Sequence, residues 1–259
     1  MVVSEVTGSP SATARRRELG ACLRSYRRLL GPEAVGLPST SRRRTPGLRR
    51  EEVAALSGVG LSWYTWLEQG RVSASDHVLD SVGRVLGLDD VGRGHLRALS
   101  RPRFDEPDPD APASLRPLLD SWPSSPAVLL DHRLDMVDAN DAWARIWGHP
   151  GERAPSHRNV VRQLAVEPGS AVGDPTRLVM SVARQLRMAS DLHAGDRRIA
   201  EVRDMLRDDA PELGPVWDCR GVGAFDAPAL TLQGRPARAH LLRPTGRPDA
   251  SILVLVPTG

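Results

Sequence analysis

The sequence predicts two fold classes in one chain: an all-α bundle over residues 15–101 and an α+β domain on an antiparallel sheet over residues 113–257. Three observations carry this. Apolar residues recur at helical spacing through the first hundred positions, whereas the second half interleaves helical spacing with short aliphatic runs of strand length. Between the halves lies "RPRFDEPDPDAP" (101–112), whose four prolines and four acids leave little to bury, so residues 102–112 read as a linker. Charge changes at the same place: residues 1–101 carry 16 Arg against 10 acids, and the remainder 19 Arg against 22.

Each element has its own signal. Residues 1–14 are small and polar and read as a disordered tail. "RRRELGACLRSYRRLL" (15–30) sets Leu19, Cys22, Leu23, Tyr26, Leu29 and Leu30 on one face, with arginine opposite. A loop over 31–47 ends in the basic run Arg42, Arg43, Arg44. Short helices follow over 48–58 and 61–70, each closed by glycine, and then two amphipathic helices over 75–87 and 89–101. In the second half, 126–131 and 134–140 read as paired strands and 141–148 as a short helix. Residues 174–195 read as the longest helix, with Asp174 as N-cap and Pro175 in the first position. Another helix covers 196–209, and three strands cover 229–234, 237–244 and 251–257.

The helices over 48–58 and 61–70, joined at Gly58, have the form of a helix-turn-helix. Ala54 permits close packing, Gly58 permits a left-handed turn, and Val59 anchors it. Tyr64 and Leu67 form the buried stripe of the second helix, so Ser62, Trp63, Thr65, Trp66 and Gln69 point outward, where a recognition helix meets the major groove. Three of the ten aromatics of the chain fall within Trp63–Trp66. Tyr64 is expected in the core, and Trp63 and Trp66 at a contact surface that is either DNA or protein. Arg43, Arg44, Arg49, Arg50 and Arg71 are candidate phosphate contacts around this helix. Glu68 reads as structural.

Other chemistry finds little support. Two cysteines, Cys22 and Cys219, make no disulfide framework and suit a reducing cytoplasm. Seven histidines lack metal-ligand spacing, so no metal or cofactor is expected. "GVG" (221–223) lacks the strand–glycine–helix context of a dinucleotide site, and "DAND" (138–141) reads as a strand end and helix cap. No enzyme is expected, and no segment has the length and apolarity of a membrane span.

"LRREEVAALSGVGLSWYTWLEQGR" (48–71) resembles the first domain of the MmyB-like transcription regulators, a branch of the Xre/Cro-type helix-turn-helix proteins, which read "LRREEVAxLAGVSxxYYxRLEQGR". "PAVLLDHRLDMVDANDAWARIWG", "SHRNVVRQLAVEP", "PVWDCRGV" and "SILVLVP" resemble successive segments of that family's second, PAS-like domain. The resemblance implies a homodimer binding double-stranded operator DNA, and a second domain that takes a fatty-acid-like or other small apolar ligand. Leu129, Met136, Val137, Trp143, Trp147, Met180, Trp217 and Leu253 are the candidate lining. A second domain serving only dimerisation or partner binding is the alternative. The chain departs from the pattern at Trp66, where the family has Arg, and at Trp63, where it has Tyr. The usual "HPxxG" segment is replaced by "GAFDAPALTLQG".

Overall fold

The computed structural model describes residues 10–38, 46–101, 115–218, 223–244 and 249–258. The chain forms two units, the first reaching Arg103 and also holding residues 191–195, the second holding the rest.

The first unit is helical, with α1 (Pro10–Leu29), α2 (Arg50–Ser57), α3 (Leu61–Glu68), α4 (Asp76–Val85) and α5 (Asp90–Ser100). Helix α1 begins at Pro10, inside the stretch expected to be a tail. Proline is tolerated in a first turn, where an N–H has no partner anyway, and Arg16 Nη2 donates to Thr13 Oγ1 at 3.3 Å. Ser75 caps α4 by accepting from Val78 N–H, and Asp89 caps α5 by accepting from Gly92 N–H. The turn from α2 to α3 forms as its residues dictate: Gly58 is left-handed at φ 71°, and the Val59 N–H donates to Ala54 O at 3.0 Å. Leu19, Leu23, Val53, Tyr64, Leu67 and Leu96 are among the buried residues of one apolar core. Against it, α1 and α3 touch backbone to backbone. A Cβ on Gly20 would lie 2.3 Å from Glu68 O.

The second unit is α+β. Its sheet has the order β2-β1-β6-β5-β4-β3 with antiparallel pairing: β1 (Ala127–Asp131), β2 (Met136–Ala139), β3 (Val172–Gly173), β4 (Ala229–Leu232), β5 (Arg235–Leu242) and β6 (Ala250–Pro257). The two-residue β3 is an edge strand that the sequence pattern does not reveal. Gln233 and Gly234 join β4 to β5 with φ of 50° and 76°, the signs a type I′ hairpin turn requires. The helices are α6 (Arg116–Asp120), α7 (Asp141–Trp147), α8 (Val160–Val166), α9 (Thr176–Leu192), α10 (Arg197–Asp209) and α11 (Gly214–Asp218). Helix α9 has 17 residues and α1 has 20, so the expectation that the 174–195 helix would be the longest is corrected. Asp174 has φ 49° and is no extended N-cap. The Pro175 carbonyl accepts the Val179 N–H instead, one residue later than expected.

Both sheet faces are covered, and β1 divides its side chains between them. Val128 and Leu130 enter the main core, while Leu129 packs with Leu119, Ile252 and Val254 in a separate cluster. Across β5 and β6, Ala239 stands opposite Leu255 and Leu241 opposite Leu253. Asn140 fixes the start of α7. Its Oδ1 accepts from Trp143 N–H and Ala127 N–H, both at 3.0 Å, and its Nδ2 donates to Trp122 O at 2.7 Å and Ser125 O at 2.9 Å. No helix among the described residues is long and apolar enough to cross a membrane.

Candidate functional site

Helix α3 carries most of the residues expected to face DNA. Ser62, Thr65, Trp66 and Gln69 fall at i, i+3, i+4 and i+7 and make one stripe opposite the buried Tyr64, Leu67 and Glu68. Ser62, Trp66 and Gln69 are exposed, Trp66 by 39%, and Thr65 donates its hydroxyl hydrogen to Leu61 O at 2.9 Å. Trp63 differs from its partner: it is half-buried and packs on the bundle core, at the flank of the stripe. The helix closes at Gly70, φ 71°, whose N–H donates to Leu67 O, and Arg71 follows exposed.

Beneath the stripe sits Glu68, with its side chain fully out of water. Arg27 Nε donates to its Oε1 at 2.5 Å and Nη2 to its Oε2 at 3.2 Å, while Arg50 Nε donates to Oε2 at 2.7 Å. Burial pushes this carboxyl upward, but the two guanidinium bonds outweigh it and hold it below the usual carboxylate range. Arg27 Nη1 also donates to Leu48 O, and Arg24 Nη2 to Glu68 O, each at 2.8 Å. Arg50, the expected phosphate clamp, therefore ties the start of α2 to the end of α3. Arg49 is exposed, and its backbone N–H donates to Glu52 Oε2 at 2.6 Å, which closes the first turn of α2. Arg43 and Arg44 lie outside the described residues.

The second unit offers an aromatic core. Trp143 and Trp147 lie with centroids 4.1 Å apart and planes tilted by 35°, and Trp147 Nε1 donates to Pro168 O at 2.9 Å. Met136 and Leu253 are buried in the same cluster, with Met180, Met205, Trp217, Phe225 and Leu241 partly buried against it. The Arg187 guanidinium stands 5.8 Å from the Trp217 ring centroid. Six of the eight expected lining residues are thus brought together. Two are not, and both corrections follow from strand alternation. Leu129 lies in the cluster on the other face of the sheet, and Val137 is 45% exposed.

Electrostatics concentrate at the β1–β2 turn. Asp131 Oδ1 accepts from Arg133 N–H at 2.8 Å and Asp135 N–H at 2.9 Å, yet burial and the charge of Asp135 push its carboxyl up to about 6. A depression of about 480 Å³ beside this turn is lined by Arg133, Asp196, Arg197, Arg198 and Glu201. Its arginines are matched: Arg133 to Asp196 at 2.8 Å, Arg198 to Asp135 at 2.7 Å and Arg197 to Glu201 at 3.1 Å. That surface is charged and compensated, unsuited to an apolar ligand.

The geometry defines a helix-turn-helix DNA-binding unit joined to an α+β unit with an aromatic interior. Family comparison then identifies the chain. Residues 111–243 match the MmyB-like transcription regulator ligand binding domain, residues 18–96 match a helix-turn-helix domain, and the chain belongs to the MmyB-like regulators. These are regulatory families, not enzymatic ones. No curated protein matches the chain significantly.

Proposed function

We propose that this DNA-binding transcription regulator acts in the cytoplasm as a homodimer on a paired-half-site operator, and that a small, largely apolar ligand of fatty-acid-like character in the second unit controls it. The observation that carries the DNA reading is the stripe Ser62–Thr65–Trp66–Gln69, raised on a helix whose underside is locked by Glu68. Arg49, Arg50 and Arg71 flank it as phosphate contacts, and Arg43 and Arg44, outside the described residues, are proposed as further phosphate contacts. Trp66 packs on thymine methyls or sugar edges, because an indole has one donor and no fork for guanine. Trp63 supports Trp66 from the flank rather than reading bases.

The ligand reading rests on the Trp143–Trp147 pair, with partly buried Met180 and Trp217 around it. A ligand changes operator affinity only as far as it favours one arrangement of the protein over another.

Operator selection from random DNA tests the first reading. A paired motif with half-sites about one helical turn apart is expected, and failure to enrich any sequence overturns it. Trp66→Arg should then alter the selected bases. A change in oligomer mass with no change in preference would assign Trp66 to a protein interface. Native mass spectrometry of protein from its host tests the ligand. A small-molecule adduct supports control, and adduct-free protein that no metabolite extract stabilises thermally leaves dimerisation as the role of the second unit.

A further inference from the structure

Three metal-ligating side chains, far apart in sequence, meet inside the first unit. Cys22 comes from the middle of α1, His95 from α5 and Asp191 from the last turn of α9, within the segment 191–195 that belongs to this unit. All three are buried, and Leu192 beside Asp191 packs on the core of the bundle. Cys22 Sγ lies 3.5 Å from Asp191 Oδ2, and His95 Nε2 lies 3.2 Å from the same oxygen. The ligand atoms of the three residues lie within 4.8 Å of one another.

We propose that Cys22, His95 and Asp191 form a three-ligand site for a zinc-type divalent cation. Tetrahedral zinc with bonds of about 2.3 Å to sulfur and about 2.0–2.1 Å to nitrogen and oxygen spaces sulfur from oxygen by about 3.6 Å and nitrogen from oxygen by about 3.4 Å. The two observed separations are close to these tetrahedral edges. The donor set excludes the harder ions, since magnesium and calcium take oxygen ligands, whereas a thiolate with an imidazole suits zinc. Charge agrees as well. A thiolate, a carboxylate and a neutral imidazole cancel a divalent cation, leaving a neutral group in the core. Binding takes the proton from the Cys22 thiol to solvent, and a water completes the fourth position.

Cobalt(II) titration of the chelator-stripped full-length chain tests this. One equivalent should bind and give a thiolate-to-cobalt charge-transfer absorption. That absorption should vanish in Cys22→Ser and persist in Cys219→Ser. Asp191→Asn and His95→Gln should weaken binding at least tenfold, and zinc should raise the thermal midpoint of the wild-type chain but not of Cys22→Ser. Absence of the absorption in the wild-type chain overturns the proposal whatever the variants do. So does an absorption that follows Cys219 instead of Cys22, which would leave the three side chains a hydrogen-bonded cluster only.

Discussion

Replacing Glu68 with Gln puts the underside of α3 to the test. The carboxylate has no exposed side-chain surface and takes three hydrogen bonds from two guanidiniums. Arg27 is 11% exposed at its side chain, so its bidentate pair counts as buried; a hydrogen bond to a charged group contributes about 1.5–3 kcal/mol. Arg50 is 42% exposed, and its contribution is screened to about 0.2–1 kcal/mol. Glutamine keeps the shape and one acceptor, so Glu68→Gln should cost about 2–4 kcal/mol at pH 7. Removing one partner of a buried pair costs about 3–5 kcal/mol, which agrees. Urea unfolding followed by helical circular dichroism measures the loss, and hydrogen exchange should place it in α1, α2 and α3. The pH dependence gives the sharper test. The folded carboxyl is held below its usual range, so the stabilisation is present above the unfolded value near 4.3 and is lost as pH falls through the folded value. The difference between wild type and Glu68→Gln should therefore shrink as pH drops below about 4. A difference under about 0.5 kcal/mol at pH 7, or one that persists undiminished into acid, would refute the reasoning.

Asp131 should behave in the opposite sense. Its folded carboxyl is raised from 3.8 to about 6, so its penalty is absent below the unfolded value and grows as pH rises through 6. Asp131→Asn, which keeps an acceptor for Arg133 and Asp135 N–H, should stabilise the protein above pH 6 by at most about 3 kcal/mol and leave it unchanged near pH 3.5, as read by urea midpoints across pH. Asn140→Ala removes the cap of α7 and leaves Ala127 N–H without its acceptor; a loss of about 2–4 kcal/mol should appear in thermal unfolding. Trp143→Ala should cost about 3–5 kcal/mol by the same measurement, and apolar ligands that stabilise the wild type should stabilise this variant less. Arg71→Ala should weaken DNA binding evenly across sequences and reduce the salt slope by about one, measured by titration at several salt concentrations.

Sequence periodicity makes the bundle legible, because each helix has an apolar stripe and a chemical stop. Gly58 and Gly70 end α2 and α3 where expected, and Tyr64 and Leu67 are buried as their spacing predicts. The sheet is less legible. β3 has two residues, too few for a pattern, and Leu129 and Val128 are equally apolar although they serve opposite faces. Register decides which face each takes, and register depends on β6, more than a hundred residues away. Trp63 was expected beside Trp66 at a contact surface, since a spacing of three implies a shared face. The structure gives it a half-buried flank position because the core extends around α3 that far. Glu68 is legible as structural, but its partner Arg50 reads from sequence as a candidate phosphate contact, with nothing to mark it as an ion-pair partner of Glu68. Cys22, His95 and Asp191 have no local spacing at all; only the folded chain brings them together.

The absence of a side chain at Gly20 has a consequence for regulation. At Gly20 the α1 backbone lies directly against the carbonyl of Glu68, and no side chain separates the two helices at that point. That contact, with the Glu68 ion pairs, resists tilting of α3 within its own bundle. In the dimeric, ligand-controlled regulator proposed above, a signal received elsewhere would act on the bundle as a rigid head, through its position or its spacing from a second head, and the sequence preference of α3 would stay the same in every regulatory state.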